Sequence, residues 1–402
     1  MLKNKNILVI GFPTWEGDYL KTIVQITTQL TPDNKVLYVD YEFTYKDILE
    51  NLLGKKKNVP VKRIFGLEPR IRRLPTIAQA YVNVLTPPPV FPTNWIKDEK
   101  KYRKWMQINA RKVEKSISKA LQTLRMEDNL IVINAFNPFF GNPLAHRFNE
   151  KLLLYYCYDE ISAAAWAKNH GKTQEEHFIP KTNGVITTSK GLYEDKKRLH
   201  PNTFLVKNGV DFDAFHKGIH KQKSYIDKKN FKKIIGYIGG IDFRMDLELM
   251  EFSVQKLPEY LFVFIGKVTK PEIQNTLQKY PNVKFLGPKP LNELPYFTAD
   301  FDAGIIPFIR NEFTQKIYPL KINEYFALGK PVVMTNFGDM SDFENAASIV
   351  SGKNEFVSAL QEEIENDTPE KQQKRIDIAR QNSWQNRAEE LSQIIEHLLK
   401  NV

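Results

Sequence analysis

The chain has one cysteine, Cys157, in 402 residues. No disulfide can therefore form within it, and no cysteine-built zinc or iron–sulfur centre can be assembled. Long apolar runs are missing as well. No stretch reaches 18 apolar residues, and the first run, residues 7–12, is too short for a signal peptide or a spanning helix. Both gaps point to a cytoplasmic protein that is not exported. Aromatic residues, at 12%, are too frequent for a disordered chain. The length suggests two or three domains, each able to bury its own core.

The formal net charge is +11, which invites nucleic acid, an anionic membrane or an acidic substrate. The excess is local. Residues 55–73 hold Lys55, Lys56, Lys57, Lys62, Arg63, Arg70, Arg72 and Arg73 against Glu68, for +7. Residues 97–119 hold nine basic residues against Asp98, Glu99 and Glu114, for +6, which leaves the rest of the chain at −2.

Short β-rich runs alternate with longer helical patterns, as in parallel sheets with crossover helices. In the first half the runs are 7–12, 36–39, 61–65, 82–85, 130–135, 152–158 and 185–188. In the second they are 234–238, 261–265, 283–286, 303–308, 332–335 and 348–350. A seam is expected near 206–217, with domains over 1–207 and 208–383. The lysine-rich stretch 217–233 reads as an exposed linker, and residues 87–92 as an extended proline-rich loop before a helix over 99–124. The helical tail breaks at Asn382-Ser383-Trp384. Its last segment, 384–402, either packs on the second domain or crosses back to the first.

The densest chemical signal lies at 318–333. A helix from about Leu320 to Leu328 ends at Gly329, and Lys321 and Glu324 share a face near its start. A helix start offers free N–H groups and a positive dipole end to a diphosphate. Lys321 would add a charge, and Glu324 could accept from ribose hydroxyls. The same i, i+3 spacing is also that of an ordinary surface ion pair.

This stretch resembles the signature helix of GT-B-fold glycosyltransferases, especially the family 4 group that makes bacterial surface polysaccharides. Other stretches agree in order: Val185-Ile-Thr-Thr-Ser-Lys-Gly-Leu, Lys207-Asn-Gly-Val-Asp-Phe-Asp-Ala-Phe, Ile235-Gly-Tyr-Ile-Gly-Gly-Ile, Val283-Lys-Phe-Leu-Gly, Phe301-Asp-Ala-Gly-Ile-Ile-Pro-Phe and Ser383-Trp384. The resemblance implies an α/β chain of two Rossmann-like, doubly wound domains facing a cleft, with a C-terminal helix crossing back to the first. It implies transfer of a sugar from a nucleoside-diphosphate sugar, UDP-linked by preference, to a saccharide or lipid-linked saccharide, without a bound metal or cofactor. By position, Glu324 would hold the ribose, Lys321 would lie at the phosphate side, Leu320 would belong to the donor site, Gly239 and Gly240 would admit the diphosphate, and Arg244 would supply a cation. Two positions depart from the family pattern: Lys316 and Gly240 stand where relatives often carry a glutamate and an arginine. Arg310, Asn311 and Gln315 precede the helix and are further candidates by place alone.

In the first half, Asp159 ends the run 152–158. It is a candidate base for the acceptor hydroxyl, and its placement resembles the aspartate of xanthan-type glucuronosyltransferases, which invert. Family 4 membership points to retention instead. The plain alternative for Asp159 is a helix cap. Trp15, Glu16 and Asp18, after the first strand, are candidates for acceptor contact. Asp211-Phe-Asp213 and Asp300-Phe-Asp302 look like DxD metal motifs but lie outside any metal-binding context, and the seven histidines are not read as a zinc site. Leu52, Leu53, Ile64, Phe65, Leu67, Ile71 and Leu74, and then Tyr102, Trp105 and Met106, interleave with the two basic segments. This pattern suits an anionic membrane surface better than nucleic acid. A catalytically inactive scaffold of the same fold and a basic nucleic-acid binder are the competing readings.

Overall fold

Among the described residues the β-branched runs become fourteen strands in two sheets. The computed structural model describes residues 1–17, 21–163 and 165–401, and the chain divides into two units, Met1–Lys207 with Arg387–Val402, and Asn208–Asn386. The first unit holds β1 (Asn6–Gly11), β2 (Lys35–Val39), β3 (Ile71–Pro75), β4 (Tyr81–Leu85), β5 (Leu130–Ala135), β6 (Leu152–Cys157), β7 (Gly184–Thr187) and β8 (Thr203–Leu205). Their spatial order is β3-β4-β2-β1-β5-β6-β7-β8. All neighbours are parallel except β3 and β4. Every residue of β5 and β6 is buried, the pattern of strands covered on both faces.

The second unit holds β9 (Lys233–Ile238), β10 (Tyr260–Ile265), β11 (Val283–Gly287), β12 (Ala303–Ile306), β13 (Val332–Thr335) and β14 (Ser348–Val350). They run parallel in the order β11-β10-β9-β12-β13-β14. Each sheet reverses its winding once, between β1 and β5 in the first and between β9 and β12 in the second. Ligands of such sheets sit beyond the carboxyl ends of the strands at these points.

The helix over 99–124 forms as expected (Glu99–Leu124), with Asp98 accepting from Lys101 N at 2.8 Å as its N-cap. The tail is two helices, Pro369–Gln381 and Trp384–Leu399. Val210 N donates to Asn382 O at 2.9 Å and Trp384 N to Val210 O at 3.1 Å, which pins the break between them. From Arg387 onward the last helix belongs to the first unit, where Leu398 lies against Gly184 of β7; a Cβ there would come within 3.0 Å of it.

Three expectations change. Residues 61–65 are not a strand: Val61–Ile64 is a short helix after Pro60, with Ile64 fully buried. The strand of this region is β3, whose Arg72 and Arg73 put cations on a sheet edge, a common protection against edge pairing. The stretch 217–233 is not a free linker. Asp300 accepts from Tyr225 N (2.5 Å) and Ile226 N (2.7 Å) and pairs with Lys221, while Ile226 is buried and Tyr225 stacks on Tyr296. Asp302 likewise accepts from Ile234 N at 2.8 Å, and Asp211 caps Phe212–His216. Three of the DxD-like aspartates, Asp211, Asp300 and Asp302, thus serve backbone N–H groups. Lastly, Tyr102 and Met106 are core residues, Tyr102 stacked on His170 at 3.6 Å, and only Trp105 of that trio is exposed.

Candidate functional site

In the second unit the chain turns at the carboxyl end of β9 through Gly239 and Gly240. Gly239 has φ +119°, a conformation that side chains resist, and its N–H donates to Ile265 O at 2.9 Å. Gly266, after β10, has φ +148° and lies so close that a Cβ on it would stand 1.9 Å from Gly239 O. In the sequence Gly266 carries only the weak signal of a lone glycine closing an apolar strand. Gly266→Ala is expected to lower stability by about 1–3 kcal/mol through this clash and the strained φ, measurable as a lower urea midpoint.

The helix Leu320–Ala327 follows Pro319 and has no side-chain cap on its first turn. Tyr325 holds it against the sheet: its hydroxyl oxygen accepts from Ile238 N at 3.0 Å, and its ring covers Gly304, where a Cβ would approach to 2.6 Å. Lys321 is thereby aimed at the Gly239 turn. Its Nζ would lie 3.3 Å from a Cβ at Gly239 and donates to Tyr237 Oη at 2.9 Å. Tyr237 in turn donates to Gly240 O at 2.7 Å. The Lys321 ammonium also sits 4.0 Å from the Tyr237 ring centre and 4.6 Å from that of Phe308, a cation–π setting.

Arg244 comes to the same place from the loop after Gly240. Its Nε and Nη2 donate to Asp242 at 2.8 and 2.6 Å, and its guanidinium lies 5.1 Å from the Phe308 ring centre. Burial alone would raise the Asp242 carboxyl, but the hydrogen-bonded Arg244 brings it below the usual carboxylate value. Burial pushes Lys321 well below the usual lysine value, and the Arg244 cation adds to the push. Glu324, one turn along, is raised by burial to about 7 despite Lys321 nearby. The structure thus brings together Gly239, Gly240, Arg244, Lys321 and Glu324, with Leu320 at the helix start. Lys321 and Arg244 flank a glycine turn at a helix start, a setting whose positive potential suits a diphosphate. Lys321 and Glu324 are not a solvated surface pair. Asn311 is occupied locally, since its side chain accepts from Thr314 N at 2.9 Å.

In the first unit Asp159 follows β6, half-buried, and accepts from Glu160 N at 2.9 Å. Glu160 in turn accepts from Ser162 N and Oγ. Trp15 N donates to Asp40 at 2.7 Å, and Glu16 pairs with Arg72, which also meets Asp40 at 3.4 Å. Trp15 and Glu16 therefore stand together at the carboxyl end of β2, and Asp18 lies outside the described residues. Cys157 is buried near the Glu175–Lys196 ion pair, in the core. His216 and His220 are four residues apart in sequence, but His216 Nδ1 is 2.8 Å from Ala327 O. Among the described residues no group of three or more His, Cys, Asp or Glu side chains is placed to hold a metal ion.

Residues 232–366 match the family model of glycosyl transferases group 1. A Bacillus subtilis (strain 168) protein, provisionally named teichuronic acid biosynthesis glycosyltransferase TuaH, is 27% identical over 224 residues, 53% of this chain. The match spans 56% of that relative, so the chain is aligned over only about half of its length. Among solved structures, the sucrose-phosphate synthase of Thermosynechococcus elongatus superposes with a TM-score of 0.69 at 14% identity, over 99% of this chain and 100% of that one. HepE of Anabaena, solved with UDP and glucose, gives 0.65 at 15% identity over 98% and 100%. At such identities the likeness is one of fold, and the fold is GT-B.

Proposed function

We propose that this GT-B-fold chain, whose residues 232–366 match the family model of group 1 glycosyl transferases, moves a sugar from a nucleoside-diphosphate sugar to a saccharide or lipid-linked saccharide in polysaccharide synthesis. The observation that carries the reading is the convergence of Lys321 and Arg244 on the Gly239–Gly240 turn beyond β9, with Glu324 one turn away. UDP is the nucleotide favoured here, since HepE of Anabaena was solved with UDP and glucose.

In this reading the diphosphate lies over the glycine turn and the first turn of Leu320–Ala327. Glu324 accepts from the ribose hydroxyls. As the bond from the anomeric carbon to the diphosphate oxygen breaks, the electron pair leaves with the diphosphate, and Lys321 and Arg244 stabilise that charge. The acceptor hydroxyl attacks the anomeric carbon and gives its proton to a base, for which Asp159 is the candidate. Asp159→Asn is expected to cut turnover about 100-fold or more while donor affinity stays within twofold. Loss of donor affinity alongside turnover would instead assign Asp159 a binding role. NMR of the product's anomeric centre then decides between inversion and retention.

The acceptor unit is proposed to rest on an anionic membrane. Leu52, Leu53 and Leu67 are exposed at 73%, 61% and 78%, beside Lys55, Lys56, Lys57 and Lys62. No helix among the described residues is long and apolar enough to cross a membrane, so contact would be peripheral. Each nearby cation is worth about 1 kcal/mol at such a surface. Flotation with anionic vesicles, but not neutral ones, is expected, falling with salt and with Leu52→Ser/Leu53→Ser. Equal failure on both vesicle types would overturn this part.

A further inference from the structure

The first unit contains a cavity of about 290 Å³ that none of the residues discussed so far explains. It lies beyond the strand ends where the sheet reverses its winding: Phe12 follows β1, Glu42 follows β2 and Asn137 follows β5. Glu42 is only 4% exposed, and Asn137 Nδ2 donates to both of its carboxyl oxygens, at 3.2 and 3.1 Å. No ion pair to Glu42 is present among the described residues. Burial pushes its carboxyl up to about 8, so near neutrality it keeps a proton and can both donate and accept.

The position of Asn137 is built. Phe136 is held at φ +55°, unusual for an aromatic side chain. Fully buried Asn134 fixes the turn from both sides, donating to Asn137 O at 2.9 Å and accepting from Asn137 N at 3.1 Å. Asn137 Oδ1 then faces Phe140 N at 3.4 Å, which leaves its Nδ2 for Glu42. Aromatic rings form the walls: Phe12 stacks on Trp166 at 4.3 Å and 15°, and Phe91 and Trp95 close the other side. Asn109 clamps Phe91 by accepting from its N–H and donating to its C=O, both at 2.9 Å.

We propose that this cavity binds one sugar ring, its hydroxyl edge on Glu42 and Asn137 and its C–H face on the aromatic walls. A pyranose offers both surfaces. An acyl chain would fill the aromatic part but offer the O–H of the protonated Glu42 carboxyl no acceptor, a cost an apolar ligand cannot recover. The size lies near the lower end of the about 300–1,000 Å³ of small-molecule sites. As an acceptor subsite, the assignment rests on the glycosyltransferase reading; as a sugar-binding cavity, it stands on its own geometry.

The test uses the full chain and a panel of p-nitrophenyl glycosides (glucoside, galactoside, N-acetylglucosaminide, glucuronide), read by saturation-transfer NMR and tryptophan fluorescence. At least one should bind, and Glu42→Leu should weaken it about tenfold or more. Trp95→Ala, at the exposed rim, should weaken it severalfold and does not depend on the interior folding as before. UDP affinity, measured in parallel by calorimetry, should be unchanged in both variants. Binding of no glycoside, equal binding by both variants, or decanoate binding that improves in Glu42→Leu would each overturn the proposal. Glycoside binding without UDP binding would leave the cavity standing and remove the donor reading.

Discussion

Lys321→Met should cut turnover with a sugar nucleotide by about 100- to 1000-fold, the size seen when one preorganised donor to a developing anion is removed. The variant should unfold at no lower a temperature than the parent. Lys321 is a half-buried ammonium beside a second cation, Arg244, and burial with that neighbour pushes its pKa well down. An apolar side chain of similar length removes the desolvation cost. Its Tyr237 partner keeps its own bond to Gly240 O. Loss of activity with retained or improved stability separates a functional lysine from a structural one. A second signature follows from linkage. A diphosphate beside Lys321 favours the charged form, so the pKa rises on binding and the complex takes up protons. The calorimetric enthalpy of UDP binding should therefore vary with the ionisation enthalpy of the buffer, and the variation should shrink in Lys321→Met.

Glu324→Ala should weaken donor binding about 10- to 100-fold, matching the roughly 1.5–3 kcal/mol of hydrogen bonds to a charged group. The carboxyl is raised to about 7 by burial. Only the ionised form has its full accepting capacity for ribose hydroxyls. Affinity should accordingly fall as pH drops through about 7, and Glu324→Gln should flatten that acid limb. If the limb persists in the glutamine variant, another group causes it.

Much of this was legible in the chain itself, for physical reasons. Apolar runs buried on both sheet faces, such as 130–135 and 261–265, have few alternatives to a central parallel strand. Lys321 and Glu324 could be paired from helical spacing, and Gly239 from a strand that ends in two glycines. β3 was missed because an edge strand with Arg72, Arg73 and Pro75 lacks an apolar pattern. Residues 61–65 misled because a four-residue helix after a proline has too few turns to show its period. The 217–233 stretch looked solvated by its lysines, yet Asp300 gathers it through backbone N–H groups that composition does not reveal.

The cavity at Glu42 was the least legible. Its carboxyl and Asn137 are 95 residues apart and meet only because β1 separates β2 from β5 in the sheet. No local motif marks either residue. Asn134 and Asn137 read as ordinary turn formers until Phe136 is found at positive φ.

The central claim is that the second unit binds a nucleoside-diphosphate sugar and the chain transfers its sugar. The most direct measurement is release of nucleoside diphosphate from a panel of sugar nucleotides, with the parent chain and Glu324→Ala side by side. The account predicts release from at least one donor, UDP-linked, reduced about 10-fold or more in the variant at limiting donor. Binding or release with none of the panel, or equal rates for the two chains, would contradict it.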